Sequence, residues 1–396
     1  MKTVNDFNFK GLRVLVRVDF NVPLNDKFEI TSTNRIDAAL PTIKKIFADG
    51  GSVILMSHLG RPKDGPEDKY SLRHIVDYLQ EQLNTKVLFA DDCIGDSAVK
   101  MSAELKPGDV LLLENLRFYK QETKGDEAFS QKLASLGDFY VNDAFGTAHR
   151  AHASTTIIAN YFDKNHKAFG LLMAKEVNAM EKVLSHSEHP FTAILGGAKV
   201  SDKIQLIENL INKADNIVIG GGMMFTFIKA AGGHIGNSLF EADFVDLTKT
   251  IMQKAKDKGV TIYIPEDTIA ADSFSETANA ELMDSDKITD GWMGLDIGTV
   301  SKMHIADIVS KSKTILWNGP MGVFEMEKFA EGTHYVAEAI ATATANGAYS
   351  LIGGGDSVSA IKKYKLANKV SYVSTGGGAM LEYIEGKVLP GVKALL

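Results

Sequence analysis

Short apolar runs recur along this chain, and most of them break off into glycine or polar residues. Leu12-Arg13-Val14-Leu15-Val16-Arg17-Val18 alternates and is rich in β-branched residues, which predicts a strand. Ser52-Val53-Ile54-Leu55-Met56, Val87-Leu88-Phe89, residues 109–113 and Phe139-Tyr140-Val141 predict further strands. Between them the apolar spacing turns helical, over residues 33–46 and 72–83. The second half repeats the rhythm, with strands predicted at 191–195, 216–219, 260–264, 313–317, 349–352 and 370–373. Strands alternating with helices imply mostly parallel sheets covered by helices on both faces. In the middle, Met173, Val177, Met180 and Leu184 recur at helical spacing, and His189-Pro190 closes the segment. Residues 169–185 therefore read as a helix linking two domains.

Length agrees with that division, because 396 residues exceed one ordinary core. Hydrophobic residues at 45% and charged residues at 23% describe a soluble globular protein. A net charge of −7 argues against a nucleic-acid or anionic-membrane binder, so any anion site must be built locally. The single cysteine, Cys93, excludes an internal disulfide and fits a reducing cytosol. The stretch Met1-Lys2-Thr3-Val4-Asn5-Asp6-Phe7 has no apolar core, so no secretory signal is expected. No apolar run reaches membrane-spanning length.

One asymmetry bears on chemistry. All seven arginines fall within the first 150 residues, whereas all three triple-glycine runs and both tryptophans, Trp292 and Trp317, fall in the second half. Arginine offers a rigid fork for carboxylate and phosphate; glycine loops offer backbone cradles. Two halves with different anion-binding tools suggest two ligands.

The polar clusters sit directly after predicted strands, where open α/β sheets bind their ligands. Asp19, Asn21, Arg35, His58, Arg61, Arg117 and Arg150 are therefore expected on one rim. In the second half, Tyr349-Ser350-Leu351-Ile352 runs into Gly353-Gly354-Gly355-Asp356-Ser357, which reads as strand, glycine turn and helix start. Asp356 is a natural Mg²⁺ ligand among phosphates, since that ion prefers hard oxygen donors. Lys199 and Lys203, four apart, are expected on one face at a helix start. The chain holds no Gly-x-x-x-x-Gly-Lys-[Ser/Thr] loop: its one Gly-Lys pair, Gly386-Lys387, precedes Val388. Its glycine runs do not match the dinucleotide fingerprint either.

Several motifs together, in one order, resemble the phosphoglycerate kinase family. They are Arg17-Val18-Asp19-Phe20-Asn21-Val22-Pro23, Ser57-His58-Leu59-Gly60-Arg61-Pro62, Gly196-Gly197-Ala198-Lys199-Val200, Trp317-Asn318-Gly319-Pro320 and Gly353-Gly354-Gly355-Asp356-Ser357. The resemblance implies two doubly wound, Rossmann-like α/β domains joined by a hinge helix. It assigns residues 1–168 to a 3-phosphoglycerate domain, 169–185 to the helix and 186–379 to a nucleotide domain, with the tail 380–396 returning to the first. It implies reversible phosphoryl transfer between ATP and 3-phosphoglycerate, giving ADP and 1,3-bisphosphoglycerate, with Mg²⁺ as cofactor. Asp19, Phe20, Asn21, Arg35, His58, Leu59, Gly60, Arg61, Arg117 and Arg150 would bind the phosphoglycerate. Gly196, Gly197, Lys203, Gly220, Gly294, Asn318, Glu325, Gly353, Gly354, Gly355, Asp356 and Ser357 would line the nucleotide site. Asp356 would hold the metal. Arg35, Lys199, Lys203, Gly354 and Gly376 would act on the transferring group. Ser357 stands where many members have Thr, and the hydroxyl persists. The family also implies a monomeric, cytoplasmic protein that uses neither nucleic acid nor membrane. Two rivals remain at this level: a two-domain binder without turnover, and a different carboxylate kinase of the acetate-kinase kind.

Overall fold

Strands and helices alternate from Arg13 onward and build two separate six-stranded sheets. The computed structural model describes residues 1–63 and 65–396. One unit comprises Met1–Asn178 with Val388–Leu396, the other Ala179–Lys387.

The first unit runs β1 (Arg13–Arg17), α1 (Asn34–Ala48), β2 (Ser52–Met56), α2 (Val76–Leu83), β3 (Val87–Ala90), α3 (Asp96–Ala103) and β4 (Val110–Leu113). It continues through α4 (Lys120–Lys124), α5 (Glu127–Ala134), β5 (Phe139–Asn142) and β6 (Lys167–Phe169). The sheet order is β3-β4-β2-β1-β5-β6, and every pairing is parallel. Strand β2 is buried at every residue, as a strand covered on both faces must be. Val14, Val16, Val53, Leu55, Leu112 and Val141 share one face and pack with Ile36, Ile43 and Ile46 of α1. Leu15, Ile54, Leu111 and Tyr140 are equally buried and alternate with them, on the opposite face. Cys93 is buried too, and burial pushes its thiol well up, away from reactivity.

Helix α6 (Leu171–Leu184) carries the chain from the first unit to the second, and the division falls between Asn178 and Ala179. Its first turn is held from inside the first unit. The Leu171 N–H donates to Thr42 Oγ1 at 2.8 Å and the Met173 N–H to Asp143 Oδ1 at 3.0 Å. These bonds satisfy donors that a helix start leaves open.

The second unit runs β7 (Phe191–Leu195), α7 (Ile204–Leu210), β8 (Asn216–Ile219), α8 (Met224–Ala230), β9 (His234–Ile235), α9 (Val245–Asp257) and β10 (Thr261–Tyr263). Then come β11 (Asp267–Ala271), β12 (Ala280–Asp284), β13 (Lys287–Ile288), β14 (Met293–Ile297), α10 (Thr299–Lys311) and β15 (Thr314–Asn318). Last are α11 (Glu331–Ala345), β16 (Tyr349–Ile352), α12 (Gly355–Lys363), β17 (Tyr372–Val373) and α13 (Gly378–Ile384). Its sheet, β10-β8-β7-β15-β16-β17, is parallel throughout and follows the Rossmann order counted within the unit. The antiparallel β12-β11-β14 sheet is an addition that the sequence pattern did not announce. The Ala-Glu-Leu-Met-Asp of β12 is neither β-branched nor cleanly alternating, so its periodicity carried no strand signal.

The tail differs from expectation. Residues 380–387 stay with the second unit, where Met380 packs beneath Gly353 and Asn209 Nδ2 donates to the Ile384 carbonyl at 2.5 Å. Only Val388–Leu396 belongs to the first unit. There the short helix α14 (Pro390–Lys393) is pinned by the Gly391 N–H, which donates to the Ala148 carbonyl at 2.9 Å.

Asp143 is fully buried, and its Oδ2 lacks a hydrogen-bond partner. Burial pushes its carboxyl up to about 6, against the Thr42 hydroxyl and the Met173 and Leu172 N–H groups, which pull it down. A carboxyl raised above its unfolded value contributes stability that is complete below that value and lost as pH climbs through the folded one. Asp143→Asn does not titrate there. Between about pH 4 and pH 7 the stability difference should therefore move in the variant's favour by about 2–3 kcal/mol. Urea unfolding at both pH values checks this; a difference that ignores pH would return Asp143 to an ordinary pKa.

Candidate functional site

In the first unit the loops after β1, β2, β4 and β5 meet at the carboxyl edge of the sheet. Arg35, at the start of α1, places Nη1 2.6 Å from Asp19 Oδ2 and leaves 42% of its side chain exposed. His58 Nδ1 lies 4.0 Å from Asp19 Oδ1. Asn21 Oδ1 accepts from the Gly60 N–H at 2.8 Å, and the Gly60 carbonyl accepts from Arg117 Nη1 at 3.1 Å. Arg61 and Arg150 are exposed at the same edge, and both add to the field felt by the others. Phe20 and Leu59 stand differently: their side chains belong to the buried core, so only their backbone reaches the edge. The Phe20 N–H is held by Ser57 Oγ at 2.8 Å, and the Leu59 carbonyl by Asn115 Nδ2 at 2.7 Å.

Electrostatics set the protonation of this rim. Burial works against ionisation of Asp19, but Arg35 and Arg17 beside it and the Asn21 N–H outweigh that, so its carboxyl sits below the ordinary range. His58 goes well below the usual histidine value because burial, then Arg17, Arg117 and Arg35, disfavour a further cation against the pull of Asp19. His152, which the sequence reading passed over, is pushed down to about 4 by burial and by Arg117, Arg17, Arg150 and His149. Arg17 was also undervalued: its side chain has no exposed surface. The signal was available, since Arg17 ends a buried strand and His149-Arg150-Ala151-His152 brings three basic groups into four residues.

In the second unit the strand order reverses between β7 and β15, the position where such sheets open a crevice. The two strand ends touch through backbone. The Gly196 N–H donates to the Asn318 carbonyl at 3.0 Å, and a Cβ on Gly319 (φ +106°) would fall 2.1 Å from the Gly196 oxygen. Beside this contact lies a cleft of about 530 Å³. Gly197, Gly221, Met293, Gly294, Leu295, Met321 and Val323 give it apolar or bare walls, and Glu325 and Asp356 add carboxylates. Gly294 matters by size, for a Cβ there would strike the Phe225 ring at 2.1 Å. The missed antiparallel sheet supplies this wall through β11 and β14. It also supplies Asp296, whose carboxyl burial raises to about 7.

Helix α12 begins beside the cleft. Gly354 precedes it at φ +90°, and Gly355 and Asp356 are exposed in its first turn, where open N–H groups and the helix dipole favour anions. Asn318 laces the parts together: Nδ2 donates to the Gly353 carbonyl at 2.7 Å, and Oδ1 accepts from Lys203 Nζ. Ser357 is buried, and its Oγ accepts from the Gly319 N–H at 2.5 Å. Gly196 and Gly220 are buried supports behind the cleft wall, Gly220 against Met321.

Two expectations change here. Lys199 and Lys203 do not share a helix face, because α7 starts only at Ile204 and both lie in the preceding turn. Lys203 turns inward and burial lowers its pKa, opposed by Asp202, Asp356 and Glu385; Lys199 is exposed. Gly376 is buried with its N–H already donated to Ser374 Oγ at 3.0 Å, so that amide is committed within its own loop.

Residues 4–387 match the family profile described as phosphoglycerate kinase. This chain belongs to the phosphoglycerate kinase family. It is 55% identical over 416 aligned residues to the phosphoglycerate kinase of Porphyromonas gingivalis, covering 99% of each. It is 51% identical to the cytosolic phosphoglycerate kinase of Nicotiana tabacum, covering 99% of this chain and 97% of the relative. Among solved structures, the phosphoglycerate kinase of Coxiella burnetii superposes with a TM-score of 0.93 at 40% identity, over 99% of this chain and 98% of that one. That of Pyrococcus horikoshii superposes with a TM-score of 0.82 at 33% identity. Membership makes the chain a phosphotransferase.

The Gly196–Gly319 contact can be tested without ligand. Gly319→Ala meets both a left-handed backbone and a carbonyl at 2.1 Å, so it should lose about 2–4 kcal/mol of stability. Urea unfolding measures this, and parental stability would show that the crevice tolerates a side chain.

Proposed function

We propose that the chain catalyses reversible phosphoryl transfer between ATP and the carboxylate of 3-phosphoglycerate, as a step of glycolysis and gluconeogenesis. The observation that carries this reading is the rim of the first unit, where Asp19 pairs with Arg35 beside Arg61, Arg117 and Arg150, a set of charges suited to an acceptor with a phosphate of its own. Asp19 and Asn21 orient the hydroxy-acid part. His58, Arg61, Arg117, Arg150 and His152 surround the 3-phosphate, and Arg35 meets the reacting carboxylate. Phe20, Leu59 and Gly60 place these groups through the backbone.

The second unit takes the nucleotide. Its apolar slot suits a flat ring, and Glu325 suits ribose hydroxyls. The start of α12, with Gly354, Gly355 and the inward Lys203, suits phosphate oxygens. Among the described residues no group of three or more His, Cys, Asp or Glu could hold a metal. That fits Mg²⁺, which binds through one or two carboxylates together with substrate phosphates. Asp356 would hold it, and the ion would neutralise phosphate charge.

A carboxylate acceptor needs no general base. Its oxygen attacks the γ-phosphorus in line, the bond to the bridging oxygen breaks, and ADP leaves with that electron pair. Arg35, Lys203 and the amides around Gly354 offset charge on the moving group. The reaction also requires the two bound substrates to meet in the absence of water, so bending at α6 is part of the proposal. The setting we propose is a monomer working in the cytoplasm; the relative from Nicotiana tabacum, named cytosolic, supports the compartment. Among the described residues no helix is long and apolar enough to cross a membrane.

The test is ADP release from MgATP with and without 3-phosphoglycerate, with hydroxylamine trapping any acyl phosphate. ADP and hydroxamate are expected only with the acceptor; a folded chain that binds both ligands without turnover would be a binding protein. Arg35→Ala should lower kcat by about two to three orders of magnitude. Near-parental kcat would remove Arg35 from the mechanism. Asp356→Ala should raise the Mg²⁺ concentration needed for half-maximal rate by about tenfold. An unchanged Mg²⁺ titration would place the ion elsewhere.

A further inference from the structure

Beneath the rim of the first unit lies a carboxylate that the reaction does not call for. Glu122, in α4, has no exposed surface. Its Oε2 accepts from the Ser154 N–H at 3.0 Å and its Oε1 from Ser154 Oγ at 2.6 Å. The Glu122 carbonyl also accepts from the Ala153 N–H at 2.9 Å. Ser154 Oγ in turn accepts from Arg17 Nε at 2.8 Å. Arg17 Nη2 lies 4.0 Å from Glu122 Oε1 and 3.4 Å from His58 Nδ1. Tyr140 OH donates to the Ser154 carbonyl at 2.8 Å and Asn142 Nδ2 to the Thr155 carbonyl at 3.0 Å. The 152–155 segment is thus clamped from three sides.

A guanidinium can only donate. His58 Nδ1, facing Arg17 Nη2, is therefore the acceptor, and the imidazole carries its proton on Nε2. That leaves the neutral ring as a donor on its other edge. Arg17 can serve this way only while a counter-charge holds it, because a buried guanidinium without one is costly.

We propose that Glu122 is a positioning residue for phosphoglycerate binding, acting through Ser154 and Arg17 to fix the orientation and tautomer of His58. This rests on the function proposed above. The same carboxylate anchors the segment between Arg150 and Ser154, so His152 is placed by the same contacts.

The charge of Glu122 and its hold on Arg17 act on anion affinity with opposite signs. Glu122→Gln keeps the shape and deletes a negative charge from a cationic rim, which by charge alone tightens an anion. If Glu122 positions, the variant instead loosens Arg17. The KM for 3-phosphoglycerate should then rise by about tenfold while that for ATP stays within about twofold. The ¹⁵N spectrum of His58 in the free protein should lose its Nε2–H pattern, a change that loss of stability alone does not produce. Ser154→Ala removes the relay and leaves both charges in place, so it should shift both readouts the same way. The double variant should be no worse than Glu122→Gln, since coupled residues are not additive. If Glu122→Gln does not fold, Ser154→Ala carries the test. An unchanged or lower KM for 3-phosphoglycerate with a parental His58 spectrum overturns the proposal, as does an additive double variant. Failure of the parent to turn over 3-phosphoglycerate would instead overturn the function, and the His58 spectrum would still decide the role of Glu122.

Discussion

Cations crowded on one sheet edge repel one another, and the first unit is arranged around that constraint. Arg17, Arg35, Arg61, Arg117 and Arg150 cannot give up their charge. Relief has to come from elsewhere. Burial lowers the pKa of His58 and His152 and so removes two further charges. Asp19 answers Arg35 at the surface, and Glu122 answers Arg17 below. The two carboxylates sit at different depths, Asp19 partly exposed and Glu122 fully buried. An incoming polyanion finds Arg17, Arg35 and Arg117 already tied to partners.

The second unit meets a similar electrostatic demand with backbone. Its strand ends approach through Gly196 and Gly319, and Gly354 turns the chain into α12. Side chains there are spent on lacing: Asn318 joins Gly353 to Lys203, and Ser357 holds the Gly319 N–H. Such a crevice presents N–H groups and few fixed cations. It suits a ligand whose phosphates arrive with a counter-ion, whereas fixed arginines suit one that arrives bare.

The sheet scaffold was legible because period and composition agreed. Ser52–Met56, Phe191–Leu195, Asn216–Ile219 and Tyr349–Ile352 are strands over the predicted residues, being short, apolar and bounded by turn formers. The 267–297 region was not legible, since its antiparallel strands carry Glu, Asp and Met in no clear alternation. The cost fell on the site itself, for that sheet walls the cleft and brings Asp296 into it. Spacing also misled at Lys199 and Lys203, because the i,i+4 rule presumes a helix that already includes Lys199, whereas α7 starts only at Ile204. Arg17 and Glu122 show a further limit. They meet on the second face of the sheet, from positions more than a hundred residues apart in the case of Arg17, and no local pattern pairs them.

Net charge is a poor guide to such a protein. At −7 the chain as a whole repels the polyanions that it is built to take. Screening makes this tolerable, since at physiological ionic strength charges beyond about 8 Å contribute little. What remains is the local field, and there the arginines outnumber the acids. The same reasoning explains why the acids of the rim are few and buried or paired. A carboxylate free to face the ligand would compete for the arginines, while one buried 4.0 Å from Arg17 balances the guanidinium from below and is itself removed from the anion's view. Depth, more than count, decides whether an acid in a cationic site opposes binding or organises it.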